Sequence, residues 1–179
     1  MRSKTIATFT VILCLLVFGP AVLATPQSEA CKLPPDLQRQ ISTKYPGSRI
    51  VTLTDLGDDD KEFFTKDHGS ACPGVVSVDF YGDGKPTLAL ALITGAGEKQ
   101  RTDLLMVRQL GIQWKTARIE TTNGPTPVIW RQEPGTYTDI ENGKVIRATK
   151  PVVVFCHYEA WAIVYAWTVS RIDKVWLLD

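Results

Sequence analysis

The residues most able to do chemistry are consecutive, at Cys156, His157, Tyr158 and Glu159. A thiol, an imidazole and a carboxylate are groups that serve as nucleophile and general base in enzymes. Neighbouring side chains of a strand point to opposite faces, so Cys156 diverges from His157, whereas His157 and Glu159 share a face. A carboxylate that orients an imidazole makes a general base, and the same pair also satisfies a buried histidine. His157 and Glu159 are therefore the candidate catalytic residues, with a structural histidine as the alternative.

A polar loop at residues 79–90 is the candidate metal site. Asp79 occupies its first position, Asp83 its fifth and Gly84 its sixth. Ca²⁺ takes about six to eight oxygen ligands, so a calcium loop needs carboxylates spaced along a chain that a glycine bends sharply. The pattern predicts Asp79 and Asp83 as ligands of Ca²⁺, the one cofactor that the sequence suggests, with a plain turn as the alternative.

This spacing resembles the calcium loop of FG-GAP and VCBS-type β-propeller repeats, in which acids or amides also occupy the third and ninth positions. Tyr81 and Thr87 stand at those two positions here. The resemblance implies a secreted, β-rich protein, and a Ca²⁺-dependent structural or adhesion domain is the function that Asp79 and Asp83 would support. The apolar C-terminal residues 175–179 also look like those of small uncharacterised bacterial secreted proteins that place a helix before a sheet.

The cysteines predict one crosslink. Cys14 falls in the export signal described below, so Cys31, Cys72 and Cys156 remain in the mature chain. Cys31 precedes a predicted helix and Cys72 lies in a loop, and both settings leave room for disulfide geometry. Cys156 sits in a very apolar strand, where a cysteine is typically a small buried hydrophobe. We expect a Cys31–Cys72 disulfide, with a zinc site on the same cysteines, His68 and Asp67 as the competing possibility.

The first residues predict export. A basic start at 1–4 leads into an apolar run at 11–18 and small residues ending at Ala24, the pattern of a signal peptide at 1–24. Cleavage near Ala24 leaves a secreted or periplasmic chain, with a flexible leader at 25–30 and one domain at 31–179. No integral membrane segment is expected in that chain, since a span needs roughly 20 apolar residues. Its 18 basic and 19 acidic residues give no reason to expect nucleic acid as a partner.

The elements that must position these residues are mostly strands. Pro34, Pro35 and the spacing of Leu37, Ile41 and Tyr45 predict one helix. Alternating apolar segments joined by short turns predict nine or ten strands after it. Residues 55–62 form an acidic loop in this prediction, and residues 142–143 form a two-residue turn with both φ angles positive. The expected fold class is α+β, with one N-terminal helix packed on a mainly antiparallel β-sheet meander.

All five tryptophans lie in the second half of the chain, and such a concentration of aromatic side chains is either part of the core or a binding surface. Along the strand predicted at 160–168, one face is bulky and continues to Val169, and the other face is rich in alanine. The bulky face predicts core packing, with an aromatic surface that stacks on a glycan or a peptide as the alternative. Because no convergent catalytic set is evident, the sequence favours a non-enzymatic binding or interaction module for an unknown protein or glycan. A small hydrolase using His157 and Glu159 is the alternative function.

Overall fold

The computed structural model describes residues 29–177, so the predicted signal peptide at 1–24 and leader residues 25–28 lie outside the described residues. Two α-helices lie early in the described chain, α1 (Pro35–Lys44) and α2 (Asp58–His68). The strands, in chain order, are β1 (Arg49–Ile50), β2 (Val75–Val78), β3 (Thr87–Thr94), β4 (Arg101–Leu110), β5 (Gln113–Asn123), β6 (Val128–Gln132), β7 (Gly135–Thr138), β8 (Val145–Ala148), β9 (Val152–His157), β10 (Trp161–Thr168) and β11 (Arg171–Leu177).

Within residues 29–177 these strands form three antiparallel sheets. Sheet A has β3 at its centre, with β4 and then β5 on one side and with β1 and β2 sharing the other side. Sheet B has the order β11-β10-β9-β6, and β7 and β8 form a hairpin. The described chain is therefore mainly antiparallel β-sheet with few helices, but it is divided where a single meander was expected. Pro125 and Pro127 lack the N–H groups that would continue a ladder, and they separate β5 from β6.

Sheet A lies between α1 and sheet B, and its side chains alternate between two buried faces. Leu90 and Leu92 of β3 pack with Leu37 and Ile41 of α1 in one buried cluster. Ala91, which lies between those leucines, belongs instead to the larger cluster that sheet A shares with sheet B. This is the period-two alternation of a strand that is covered on both sides. The larger cluster contains most of the buried apolar side chains, so the main core lies between the two sheets.

The acidic segment expected as a loop at 55–62 is different in the structure, because residues 58–62 begin helix α2. Asp58, Asp59 and Asp60 occupy the first turn, where carboxylates interact favourably with the positive end of the helix dipole. Phe64 alone is buried among the residues of α2, so this helix lacks the repeated apolar stripe by which helices are recognised. The expectation of a single helix is therefore wrong.

A β-bulge in β5 sets which of its side chains face α1. Leu104 pairs with Glu120, and Leu105 pairs with Arg118, so Ile119 is an extra residue in β5. In a regular strand Arg118 and Thr121 would point to opposite faces, because they are three positions apart. The extra residue turns both toward the face that α1 covers, while Glu120 points to sheet B, where it accepts a hydrogen bond from the Tyr165 hydroxyl (2.8 Å).

The predicted Cys31–Cys72 disulfide is present, with Cα atoms 5.1 Å apart and a sequence separation of 41. It uses both thiols, so the competing zinc site on these cysteines is wrong. Cys156 is fully buried in β9, as its apolar strand predicted.

The hairpin predicted around residues 142–143 forms, but its turn is longer than two residues. Gly143 has a φ of 70°, whereas Asn142 is not among the residues with positive φ. The Asp139 N–H donates to the Lys144 carbonyl (2.7 Å), and the Asp139 carboxylate accepts the N–H of Glu141 (3.0 Å). The Asp139 side chain therefore organises a wider loop, which the residue pair at 142–143 did not reveal.

Candidate functional site

The predicted catalytic residues line a shallow acidic cleft between α2 and the β9–β10 turn. His157 ends β9, and Glu159 lies in the turn with a φ of 58°, so the prediction that the two share one strand face is wrong. His157 Nε2 instead lies 3.7 Å from Asp60 Oδ2. Asp58 and Asp59 complete the acidic wall of the cleft. Burial raises the pKa of Asp60, and Asp59 adds to that rise while His157 opposes it.

This cleft contains a base and carboxylates but no thiol. Cys156 is fully buried, one residue before His157 in β9, so the two side chains point to opposite faces. His68, the other histidine, lies between the rings of Phe64 (4.8 Å between centroids) and Trp130 (5.0 Å). Burial there lowers the pKa of His68, with Asp67 opposing the effect. The chemistry open to this cleft is activation of a water molecule by His157.

The predicted calcium residues have protein partners in the structure. The Asp79 carboxylate accepts the backbone N–H groups of Asp83 (3.1 Å) and Gly84 (3.2 Å), as in a tight turn. Asp83 forms an ion pair with Arg108. Within residues 29–177, no group of three or more histidine, cysteine or acidic side chains is arranged to hold a metal ion. Calcium binding at Asp79 and Asp83 therefore stays a prediction, which would require Asp83 to exchange Arg108 for the ion.

Tryptophans 161, 167 and 176 are partly buried and pack against the main core. Trp161 contacts the ring of Phe155 edge-on, with centroids 5.3 Å apart. Val169, which was expected on the same bulky face, is instead fully exposed in the β10–β11 turn with a φ of 45°. A β-branched residue in the left-handed region is unusual, and here the two-residue turn requires it. The aromatic face of β10 thus serves mainly as core.

A further concavity lies at the N-terminal end of α1. We call it the Trp114 groove. It has a volume of about 490 Å³ and runs between the segment before α1, the β2–β3 region and the tip of the β4–β5 hairpin. Its lining combines an apolar floor, one indole and two ammonium groups; the residues are Lys32, Pro34, Val75, Ser77, Lys85, Pro86, Leu88, Gln109, Gly111 and Trp114.

Trp114 is held in place from two directions. Its Nε1–H donates to Asp36 Oδ2 (2.6 Å), and its carbonyl accepts from the Gln40 side chain (2.9 Å). The hydrogen bond from Trp114 is the largest cause of the lowered pKa of Asp36. Both partners lie on α1, so the helix fixes the indole that forms one wall of the groove. A rigid aromatic wall is typical of a ligand site, because little conformational freedom is lost on binding.

The two lysines of the groove differ in their contacts. Lys32 forms an exposed ion pair with Glu29 at 2.5 Å. Lys85 has no ion-pair partner among residues 29–177, and it lies beside Pro86 at the start of β3. Beyond the groove, the hairpin tip exposes Leu110 and Ile112, the latter with 93% of its surface accessible. Sequence reasoning missed this site, since Trp114 is one polar-flanked tryptophan whose hydrogen bond to Asp36 spans 78 residues.

No protein-family model, curated protein or solved structure matches the chain. In the part of the chain that the structure describes, no helix is long and apolar enough to cross a membrane.

Proposed function

We propose that the protein is an exported, non-enzymatic binding protein whose Trp114 groove takes a small molecule with an apolar body and a carboxylate end. The observation that carries the proposal is the groove itself, with a fixed indole and an apolar floor beside lysines. Ligand sites are typically concave and mostly apolar, with a few polar groups that fix orientation. The groove fits that description better than the open acidic cleft does.

The floor and walls of the groove favour an apolar ligand body. Val75 and Leu88 come from β2 and β3, where sheet pairing fixes their backbones, and Pro34 and Pro86 add rigid edges. Burial of apolar ligand surface against such a floor contributes about 25 cal/mol per Å². The exposed tip at Leu110 and Ile112 extends this surface outward, so a ligand longer than the groove would gain further contact.

The charges of the groove favour an anionic ligand end. Lys32 and Lys85 both line it, and no acidic residue does. Lys85 has no ion pair to give up within the described chain, so it is the lysine that we expect to meet a carboxylate. An exposed ion pair of this kind contributes about 0.2 to 1 kcal/mol, which corresponds to roughly a two- to fivefold change in affinity at the upper end of that range.

Export is part of the same proposal. It rests on the predicted signal peptide at 1–24, and the Cys31–Cys72 disulfide supports it, because disulfides persist mainly in oxidising compartments. The test is expression of the full chain in a bacterium, followed by fractionation and mass measurement of the product. A mature N-terminus near residue 25 in the periplasm or medium is expected, and an uncleaved cytoplasmic product would contradict export.

Binding is tested with octanoate as the probe and octanol as its uncharged counterpart, by calorimetry on residues 25–179. Trp114→Ala is expected to abolish octanoate binding. Lys85→Gln is expected to weaken octanoate by about two- to fivefold and to leave octanol unchanged. Lys115→Gln is the matched control, since Lys115 is exposed and adjacent to Trp114 but does not line the groove. Equal effects of Lys85→Gln and Lys115→Gln, or no binding to the unaltered protein, would reject the proposal.

A small hydrolase remains the alternative, and the His157–Asp60 pair is the observation that favours it. A carboxylate beside an accessible imidazole can orient it to remove a proton from water. The test is hydrolysis of p-nitrophenyl acetate by the purified protein and by His157→Gln. Turnover that His157→Gln removes and Glu159→Gln reduces would favour the hydrolase. A rate equal to that of free imidazole would leave the cleft without a catalytic function.

A further inference from the structure

A second concavity lies on the same face of sheet A, at the C-terminal end of α1. Its centre is Asp103 of β4, a carboxylate with only 2% of its surface exposed. Asp103 Oδ1 accepts the Thr121 hydroxyl (2.7 Å), and Oδ2 lies 3.4 Å from Arg101 Nη2 and 3.5 Å from Arg118 Nη1. A single buried carboxylate thus holds two guanidinium groups at one point.

The arginines are only partly neutralised by this contact. The side chains of Arg101 and Arg118 are 44% and 51% exposed, so neither is enclosed by the protein. Arginine presents five N–H donors, of which Asp103 engages one from each side chain at the outer limit of hydrogen-bond length. Donors of both guanidinium groups therefore remain available on the solvent side of Asp103.

A third cation borders the same space. Lys44, in the last turn of α1, lines a cavity of about 330 Å³ together with both arginines, Asp103 and Tyr45. Its ammonium donates to the Thr116 hydroxyl (2.5 Å), which holds it on the β5 side of the cavity. The carbonyl end of α1 brings partial negative charge, which Lys44 offsets. Three cations and one carboxylate leave the cavity with a formal charge of two positive units.

The arrangement depends on the β-bulge in β5. Arg118 and Thr121 both face the cavity only because the extra residue Ile119 puts them on the same side of β5. Bulges frequently lie beside functional sites, where they redirect a side chain. An ordinary ion pair on a strand would need no such irregularity.

We propose that Arg101, Arg118 and Lys44 form a site for a phosphate or sulfate group. Guanidinium groups bind such oxyanions through paired N–H donors, and three cations arranged around one cavity suit a tetrahedral anion better than a flat carboxylate. Asp103 positions the arginines and does not itself touch the anion. The site is separate from the Trp114 groove, and its ligand is of a different class from the one proposed there.

The experiment measures the thermal melt of residues 25–179 with phosphate, sulfate, acetate and chloride at equal ionic strength. Phosphate or sulfate at tens of millimolar is expected to raise the melting temperature by at least about 2 °C over chloride, with acetate close to chloride. Arg101→Gln and Arg118→Gln are each expected to remove that rise. Arg39→Gln, on the exposed side of α1, is the matched control and is expected to keep it.

Glycerol 2-phosphate at the same concentration distinguishes a free ion from a phosphate carried on a larger molecule. A larger rise with inorganic phosphate assigns the site to the free ion, and a larger rise with the ester assigns it to a carried group. A purely structural ion cluster predicts that phosphate and chloride give equal melts. That result would overturn the proposal. A phosphate-dependent rise in the melting temperature of Arg118→Gln, in a variant that circular dichroism shows to be folded, would overturn it as well.

Discussion

The two ends of α1 leave the same face of sheet A open, and one opening is mainly apolar whereas the other is mainly charged. At the N-terminal end the strands present apolar side chains and Trp114, and at the C-terminal end they present Asp103 and Arg118. The openings arise from length, because a helix of 10 residues spans about 15 Å, whereas strands of 10 and 11 residues span roughly twice that distance. A short helix on long strands therefore creates two concave sites.

The comparison also shows two ways of fixing a binding surface. The Trp114 groove depends on apolar packing and on two hydrogen bonds between Trp114 and α1, so the groups that fix its wall are neutral apart from the Asp36 carboxylate. The Arg118 end depends on a buried charge, and a buried carboxylate is costly unless cations and hydrogen-bond donors surround it. Loss of structure nearby should therefore weaken ligand binding in the Trp114 groove, whereas loss of charge should disturb the Arg118 cavity.

Removal of the disulfide should disturb the Trp114 groove and leave the Arg118 cavity intact. It gives the largest expected change in the free energy of unfolding. Cys31→Ser with Cys72→Ser is expected to lower the free energy of unfolding by about 3 to 4 kcal/mol, because the crosslink closes a loop of 41 residues. Lys32 and Pro34 lie within three positions of Cys31 and line the groove, so octanoate binding should weaken. The phosphate-dependent rise should persist.

Urea unfolding measures the free energy in this experiment. Dithiothreitol is the matched control, since it should reproduce the loss in the unaltered protein and add nothing in the double variant. Equal loss of both ligand responses at a temperature where the variant is folded would show that the two ends are not independent.

The converse experiment removes the buried charge at the other end. Asp103→Ala is expected to lower the free energy of unfolding by about 1 to 2 kcal/mol, because Thr121 and two guanidinium groups lose a charged acceptor. Octanoate affinity should be unchanged. Urea unfolding and calorimetry are the measurements, and Asp67→Ala, an exposed acid on α2, is the control. A weakened octanoate complex would mean that Asp103 supports the whole face of sheet A.

A smaller, pH-dependent effect is expected for the contact between α1 and Trp114. The pKa of Asp36 is lowered in the folded protein, chiefly by the hydrogen bond from Trp114. A carboxylate with a lowered folded pKa stabilises the protein above its unfolded pKa of about 3.9, and that contribution is lost as the pH falls through the folded value. Asp36→Ala should therefore melt below the unaltered protein at pH 7, and the difference should fade as the pH falls below about 3.9.

Melting curves from pH 7 to pH 2 test this prediction. Gln38→Ala, which is exposed on the same helix, should show a difference that does not change with pH. A difference for Asp36→Ala that persists at low pH would show that the carboxylate contributes nothing through its charge.

The smallest expected effect concerns calcium, which would add positive charge beside Lys85 and so reduce the contrast between the apolar groove and the cationic end of α1. Calcium is expected to raise the melting temperature of Arg108→Gln more than that of the unaltered protein, because Arg108 holds Asp83 in an ion pair. Melts with calcium and with chelator measure the shift for each protein. Lys150→Gln, whose parent residue contacts the Tyr81 carbonyl in the same loop (2.7 Å), is the control. An absence of any shift in Arg108→Gln would leave the loop as a plain turn.

The sequence predicted features that depend on local pattern, and it missed those that depend on distant contacts. Leu90 and Leu92 are buried as their alternation predicted, and Cys31 pairs with Cys72. Helix α2 was missed because one buried residue, Phe64, anchors it, which leaves no periodic signal.

The functional sites were missed for a related reason. Trp114 meets Asp36 across 78 residues, and the Arg118 cavity depends on where one extra residue falls in β5. His157 and Glu159 were assigned to one strand face because the end of β9 could not be located from an apolar run. Side-chain partners that lie far apart in the chain leave no trace in spacing, so only the folded structure brings them together.

The bulge in β5 has a consequence for how this chain can change in length over evolution. Trp114 and Arg118 lie on one strand before the extra residue, and Thr121 lies after it. Loss or gain of one residue at 113–118 would turn part of the strand over and send the groove wall or the arginine to the opposite side. Homologues that retain both openings should therefore keep the length of β5 constant and vary instead in the loop at 124–127, where an inserted residue leaves every pairing intact.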